Sequence, residues 1–168
     1  MFGNKKEKKS AEKIQVHFVF VEEPLDKVAP SIMGWEESPW WPKKSGLTVT
    51  RKTPGPIQLG TVWEYKLPFL KAWTVEVAHF TPNRVWASTF KSGILQGAEA
   101  VRIEERANGT KIEYQIRYQV KGLLNRFLWM LLGERPHNNA IKKILSAFRD
   151  HVIQKSKQEQ EKRFEGQA

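Results

Sequence analysis

Apolar and polar residues alternate with a period of two along most of the chain, and the period changes to three-and-four near its end. Over Lys13–Val21, Ile14, Val16, Phe18 and Phe20 fall on one face and Gln15 and His17 on the other, the pattern of a half-buried first strand. Glu22-Glu23-Pro24 stops it, and Pro24 suits the first turn of a short amphipathic helix carrying Leu25, Val28 and Ile32. Further strands are expected over 47–50, 60–67, 72–80, 84–91, 98–106 and 110–120, separated by turns at Pro54-Gly55-Pro56, Pro68, Thr81-Pro82-Asn83 and Asn108-Gly109. The last dipeptide predicts a type I′ hairpin, since both residues tolerate positive φ. The strand after it is the clearest: Ile112, Tyr114, Ile116, Tyr118 and Val120 alternate with Glu113, Gln115, Arg117 and Gln119.

From Gly122 to about Gln160 the pattern is helical. Leu123–Leu132 is almost wholly apolar, Gly133-Glu134-Arg135-Pro136 interrupts it, and Ile141, Ile144, Leu145, Phe148 and Val152 resume at helical spacing. Pro136 predicts a kink or a separate short helix, with Asn138 or Asn139 capping the restart. The Leu123–Leu132 run is expected to fill the core; the alternatives are a membrane-surface element beside Lys121, Arg126 and Arg135, or a contact patch for a second subunit. The order predicts an α+β fold in which a seven-stranded antiparallel sheet curves around a long C-terminal helix, with one or two short helices after the first strand.

Composition changes this picture in few places. At 168 residues with 40% apolar and 27% charged content, one stable domain is expected. Its bounds are set at 13–160, with a flexible polar tail over 1–12 and another over 161–168. Cysteine is absent, which removes disulfides, thiolate ligands and thiol nucleophiles and fits a reducing compartment. No apolar run approaches the ~20 residues of a spanning helix, and the expected location is cytoplasmic. The net charge of +10 is the strongest deviation. It suits a nucleic acid, an anionic membrane or an acidic partner, but no aromatic-basic nucleic-acid signature accompanies it, so no nucleic acid is expected.

Inward strand positions are the candidate ligand-binding residues: Trp63, Tyr65, Val75, Val77, Trp86, Phe90, Glu99, Val101, Tyr114 and Tyr118, joined by Phe148 from the helix. Ile103, Ile112 and Ile116 share their faces. Glu99 follows the parity of Val101 and Ile103, and if it is buried its pKa should rise unless a cation pairs with it; the simpler expectation is that Glu99 and His79 sit at strand ends in water and that Tyr114 and Tyr118 reach the barrel rim. His79 follows the parity of Val75 and Val77. Trp35, Trp40 and Trp41, crowded between prolines, either cap the core or form the mouth of a cavity. Hydrolase, phosphate-loop, dinucleotide and zinc-protease motifs are all missing, and the four histidines have no metal-ligand spacing. No catalytic residue, cofactor or metal is assigned.

Five features in order carry a family resemblance: the Phe18–Val28 strand-proline-helix entry, Pro54-Gly55-Pro56 with Leu59–Glu64, the Asn108–Tyr114 hairpin, the strand-ending Gly122 and the long final helix. Over residues 13–160 the chain resembles the START-like, or helix-grip, superfamily, and in particular its bacterial polyketide cyclase/dehydrase-like branch. The resemblance implies an incomplete antiparallel barrel with an apolar cavity against the C-terminal helix, and roles ranging from carriers to enzymes. Aromatic side chains are plentiful and acid-base groups few. Binding of a small hydrophobic or lipid-like ligand, by a monomer or homodimer, is therefore the leading expectation. A cyclase-type enzyme using cavity Glu, His or Tyr is the first alternative. The second is a module that meets a protein or an anionic membrane through the basic surface and residues 123–132.

Overall fold

Alternation makes each strand two-faced, and a twisted sheet must bury one of those faces. The computed structural model, which describes residues 11–35, 38, 40–42 and 44–165, shows how. β1 (Lys13–Val21) leads to α1 (Leu25–Met33). Then come β2 (Thr48–Arg51), β3 (Val62–Lys66), β4 (Trp73–Thr81), β5 (Val85–Phe90), β6 (Leu95–Arg106) and β7 (Gly109–Val120). They form one seven-stranded antiparallel sheet in the order β1-β7-β6-β5-β4-β3-β2. α2 (Leu123–Leu128), a π-helical turn (Trp129–Gly133) and α3 (Glu134–Glu165) follow as one continuous helix. The sheet curls around α3, as the sequence pattern predicts.

The grip is apolar. Ala140, Ile141, Ile144, Leu145, Phe148 and Val152 of α3 are buried against the inner row of the sheet, including Trp63, Val75, Val77, Ile103, Ile112 and Ile116. Each side chain of Leu, Ile or Phe size contributes about 1.5–3 kcal/mol when fully buried.

Four expectations change. First, β1 faces the other way: Ile14, Val16, Phe18 and Phe20 lie on the exposed outer face, while Gln15, His17, Val19 and Val21 point toward α3. The polar members of that inner row have partners waiting. Gln15 Nε2 donates to Tyr118 Oη (3.1 Å) and Glu134 Oε1 (3.2 Å), His17 Nε2 lies 3.2 Å from Asn138 Oδ1, and Lys13 pairs with Glu134 at 2.6 Å. On the outer face the Lys111 ammonium sits 5.3 Å from the Phe18 ring centre.

Second, the β6–β7 turn is displaced by one residue. Arg106 pairs with Gly109, so Ala107 and Asn108 form the loop, and neither has positive φ. Gly109 serves instead as a point of close approach: a Cβ there would collide with the Val21 carbonyl at the end of β1.

Third, Pro136 does not break the helix. It lies in the first turn of α3, directly after the π-helical turn. That wider turn relieves the site where the proline ring would otherwise clash and a helical bond would be lost. No restart cap is needed, and Asn138 turns to His17 instead.

Fourth, the Leu123–Leu132 run is not core. Among its residues only Trp129 is buried; Leu123, Leu124, Phe127, Met130, Leu131 and Leu132 are exposed. This stretch extends past the end of the sheet, so one side chain turns inward and the others face out. The helix also continues through Glu165, beyond the boundary set at 160, and of the polar tail drawn over 1–12, residues 1–10 fall outside the described residues.

Gly133 holds this junction together. A Cβ on it would overlap the Trp129 ring, which is backed by Trp73 and Tyr118 at centroid distances of 6.1 and 5.7 Å. Gly133→Ala is expected to lower Tm by several degrees. Overpacking costs about 1–3 kcal/mol, more than the ~1 kcal/mol gained in helix propensity, at about 2–4 °C per kcal/mol for this size. Thermal melting by circular dichroism checks this, and an unchanged or raised Tm would mean that the Trp129 ring moves aside.

Candidate functional site

The sheet and α3 do not close on each other completely. Between them lies a cavity walled by Tyr65 (β3), Trp73 (β4), Trp86 (β5), Glu99 and Val101 (β6), Ile112 and Tyr114 (β7), and His137, Ile141, Ile144 and Leu145 (α3). Ile32 of α1 and Trp35, Trp40, Trp41 and Leu47 from the connection to β2 complete the wall. Its free space is about 60 Å³, several times the ~10–15 Å³ that one water centre needs.

The aromatic rings form a connected cluster. Trp35 lies 4.9 Å from Trp41, 5.9 Å from Trp63 and 6.4 Å from Tyr65 by ring centroid, Tyr65 lies 5.8 Å from Trp73, and Trp40 meets Phe148 edge-on at 5.1 Å. These separations fall in the range where tilted and T-shaped pairs add stability beyond area burial.

One part of the wall is polar. Glu99 is buried in the middle of the sheet, between Ser88 of β5 and Ile116 of β7. Tyr65 Oη donates to Glu99 Oε1 and Tyr114 Oη donates to Glu99 Oε2, each at 2.9 Å. Burial pushes the Glu99 carboxyl up to about 7, and the two tyrosine donors hold it back from rising further. Burial and the neighbouring carboxylate raise the Tyr114 phenol well above its ordinary value, so it remains a donor. Among the described residues no cation is paired with this acid.

His137 is the second polar element. It projects from the first turn of α3, is buried, and stands 6.1 Å from Tyr114 and 6.0 Å from Trp129 by ring centroid. Burial lowers its pKa to about 4, so the ring is neutral near pH 7. Its Nδ1 is buried without a hydrogen-bond partner, and so are the indole Nε1 atoms of Trp35 and Trp40. A buried polar atom left unpaired costs about 1–3 kcal/mol.

Tyr65, Trp86, Glu99, Val101 and Tyr114, all drawn from strand parity, stand on this wall. The other candidate residues do not. Trp63 is packed behind Trp35, Val75 and Val77 are wholly inside the core, Phe148 lies against Trp40, and Phe90 is half-buried at the end of β5. Tyr118 belongs to a separate cluster with Gln15 and Trp129. His79 is exposed, because a bulge at Ala78, between the pairs Val77↔Ser88 and His79↔Ala87, rotates the strand end outward.

Sequence reasoning overlooked His137, and it placed Trp73 on the face of Val75 and Val77 without carrying it into the candidate set. The signal for His137 was its spacing to Ile141, Ile144 and Leu145 on one helix face, hidden by the break expected at Pro136. Among the described residues no group of three or more His, Cys, Asp or Glu could hold a metal ion, and no helix is long and apolar enough to cross a membrane.

The sequence matches no protein-family model and no curated protein sequence. Solved structures do share its architecture. The Zhui aromatase/cyclase of Streptomyces sp. R1128 superposes with a TM-score of 0.61 at 16% identity, over 84% of this chain and 96% of its own. Norcoclaurine synthase from Thalictrum flavum gives 0.62 at 11% identity, over 91% and 96%. The KanY protein gives 0.64 at 13%, over 85% and 99%. Likeness at this level of identity speaks for the fold, and it agrees with the curved antiparallel sheet and the helix it grips. The chain has a helix-grip fold, a curved seven-stranded antiparallel sheet around a long C-terminal helix, and shares it with these solved structures.

Proposed function

We propose that the chain is a cytoplasmic binding protein, a carrier or sensor, whose cavity takes a compact hydrophobic molecule with oxygen acceptors. The observation that carries this reading is the pairing of an aromatic wall with buried polar atoms that the protein itself leaves unpartnered: Trp35 Nε1, Trp40 Nε1 and His137 Nδ1. Indole N–H groups only donate, and a neutral imidazole nitrogen donates or accepts according to its tautomer. A carbonyl or phenolic oxygen would satisfy donors that are otherwise costly to bury. The free space suits a ring-sized group rather than a long acyl chain. The fold neighbours include an aromatase/cyclase and a norcoclaurine synthase, which is compatible with such a ligand, and at these identities they add nothing more specific.

Val101→Phe, which fills the cavity from its wall, is expected to weaken binding of anilinonaphthalene sulfonate at least tenfold (about 1.4 kcal/mol). Tyr118→Phe, outside the cavity, should leave it unchanged. Fluorescence titration reads both; equal affinities in wild type and Val101→Phe would remove this cavity as the binding site.

The buried acid and the buried histidine also set opposite pH dependences. Between about 4.5 and 7 the unfolded chain ionises Glu99 while the folded chain keeps its proton, so rising pH costs stability through that window. The total is on the order of 3 kcal/mol. Between about 6.5 and 4 the unfolded chain protonates His137 and the folded chain does not, so falling pH costs stability there. In the shared window the two slopes oppose each other. The stability of Glu99→Gln relative to wild type is thus expected to increase as pH rises from 4.5 to 7 and then level off. Urea melts at stepped pH measure the difference; a pH-independent difference would mean that Glu99 titrates normally in the folded state.

Glu99 also supports a second reading. A carboxyl tuned near neutrality and clamped by two tyrosines is suited to acid-base work on a bound carbonyl compound. If the chain is an enzyme, Glu99→Gln should abolish turnover while probe binding persists, and undiminished turnover in that variant would exclude Glu99 from the chemistry.

A further inference from the structure

We infer that one end of the barrel is a docking face for an anionic membrane, whatever the cavity holds. Because neighbouring strands are antiparallel, Tyr65 pairs with Trp73, Val75 with Phe90, and Leu95 with Val120, so the 67–72 loop, the 91–94 loop and the end of β7 emerge on the same side. Lys121 N donates to the Ile94 carbonyl and ties two of these connections together. α2 and the π-helical turn start from that side, anchored by Trp129 against Trp73 and Tyr118.

The apolar side chains at this end point outward. Leu123, Leu124, Phe127, Met130 and Leu131 lie on the helix side away from buried Trp129 and Gly133, at 81%, 71%, 54%, 55% and 55% exposure. Phe69, at the tip of the 67–72 loop, is 91% exposed and has φ +65°, a backbone region that a bulky residue rarely occupies. The turn Leu67-Pro68-Phe69-Leu70, closed by the Leu70 N–H to the Leu67 carbonyl, returns buried Leu70 to the core and leaves the Phe69 ring in solvent. Exposed apolar surface of this extent marks an interaction site.

Charge identifies the occupant. The same end carries Lys13, Lys66, Lys71, Lys91, Lys121 and Arg126; its acids among the described residues are Glu134, which Lys13 pairs, and Glu12, which Arg117 faces. Lys91 has a partner, Glu76, on the outer sheet face. At the opposite end bases and acids are interleaved: Glu22, Glu23 and Glu105 surround the β6–β7 turn together with Arg106, and Lys27 pairs with Glu23. An apolar helix side flanked by an excess of bases, on a chain of net charge +10, is the combination that binds in the interface of an anionic bilayer, with the apolar side chains inserted and the bases at the headgroups. A second copy of the chain would bring like charges together across the same face.

The test is flotation of the purified full chain with vesicles of phosphatidylcholine alone and of phosphatidylcholine mixed with phosphatidylserine, together with sedimentation equilibrium without lipid. The chain should float with the anionic vesicles only and be released as salt rises. Lys71→Ala and Lys121→Ala should each weaken binding about fivefold, the equivalent of about 1 kcal/mol per base. Leu124→Glu and Phe127→Glu should abolish it with an unchanged Tm, because both side chains are exposed in the folded protein. Equal flotation with both vesicle types, no flotation with either, unaffected binding by the two glutamate variants, or a lipid-free dimer that Leu124→Glu dissociates would each overturn the inference.

Discussion

Everything in this structure depends on the burial of one face of α3 in the concave side of the sheet. A sheet of this twist leaves a trough that it cannot fill by closing on itself, and the row from Ala140 to Val152 fills it. The cavity occupies the part of the trough where that row gives way to the smaller, polar side of His137 and to the tryptophans of the α1–β2 connection. Helix position and cavity shape are thus one variable. A shift of α3 that tightened the packing around Phe148 would also move His137 relative to Tyr114.

Within that frame the sheet places its one buried acid centrally rather than at an edge. Glu99 has a strand on each side, so water cannot reach it along the sheet, and both carboxyl oxygens are already occupied by tyrosine hydroxyls from β3 and β7. Desolvation outweighs those two hydrogen bonds, and the acid stays close to neutrality. Buried acids without a cation are costly to keep. A local cost borne at a cavity wall, beside other unpartnered polar atoms, is the usual mark of a site organised for something other than stability.

How much of this could be read from the sequence varied with what each residue depends on. β7 was legible because its outer row is charged and its inner row apolar, leaving one way for it to face. β1 was not. Both of its rows contain apolar residues, and the deciding interactions are with Glu134 and Asn138, which lie 119 and 121 positions away along the chain. Strand parity located Glu99 on the inner face, but its tyrosine partners lie 34 and 15 positions away, and register alone brings them together. Parity also proposed Val75, Val77 and Trp63, which do face inward. Parity cannot separate a residue that lines a void from one packed solidly behind it, and that difference divides the candidate set. His79 lies in water, as the simpler expectation had it, because a bulge at Ala78 resets the parity it shared with Val75 and Val77; Glu99 departs from that expectation and is buried.

The Leu123–Leu132 run shows the same limit at the level of a whole segment. A dense apolar helix is normally evidence of burial, because exposure of so many large side chains is unfavourable in water. Here the segment emerges from the trough, and a single turn of π-helix lets Trp129 swing inward while its neighbours remain outside. Gly133 makes room for that ring, and the same wide turn accommodates Pro136. Residues that in the sequence suggested an interruption therefore form the joint by which the gripped helix passes into an exposed apolar one. Bases outnumber acids around that exposed stretch, where Lys66, Lys71, Lys91, Lys121 and Arg126 lie. Burial and charge then agree on which end would meet a negatively charged, partly apolar surface, and neither argument depends on what fills the cavity.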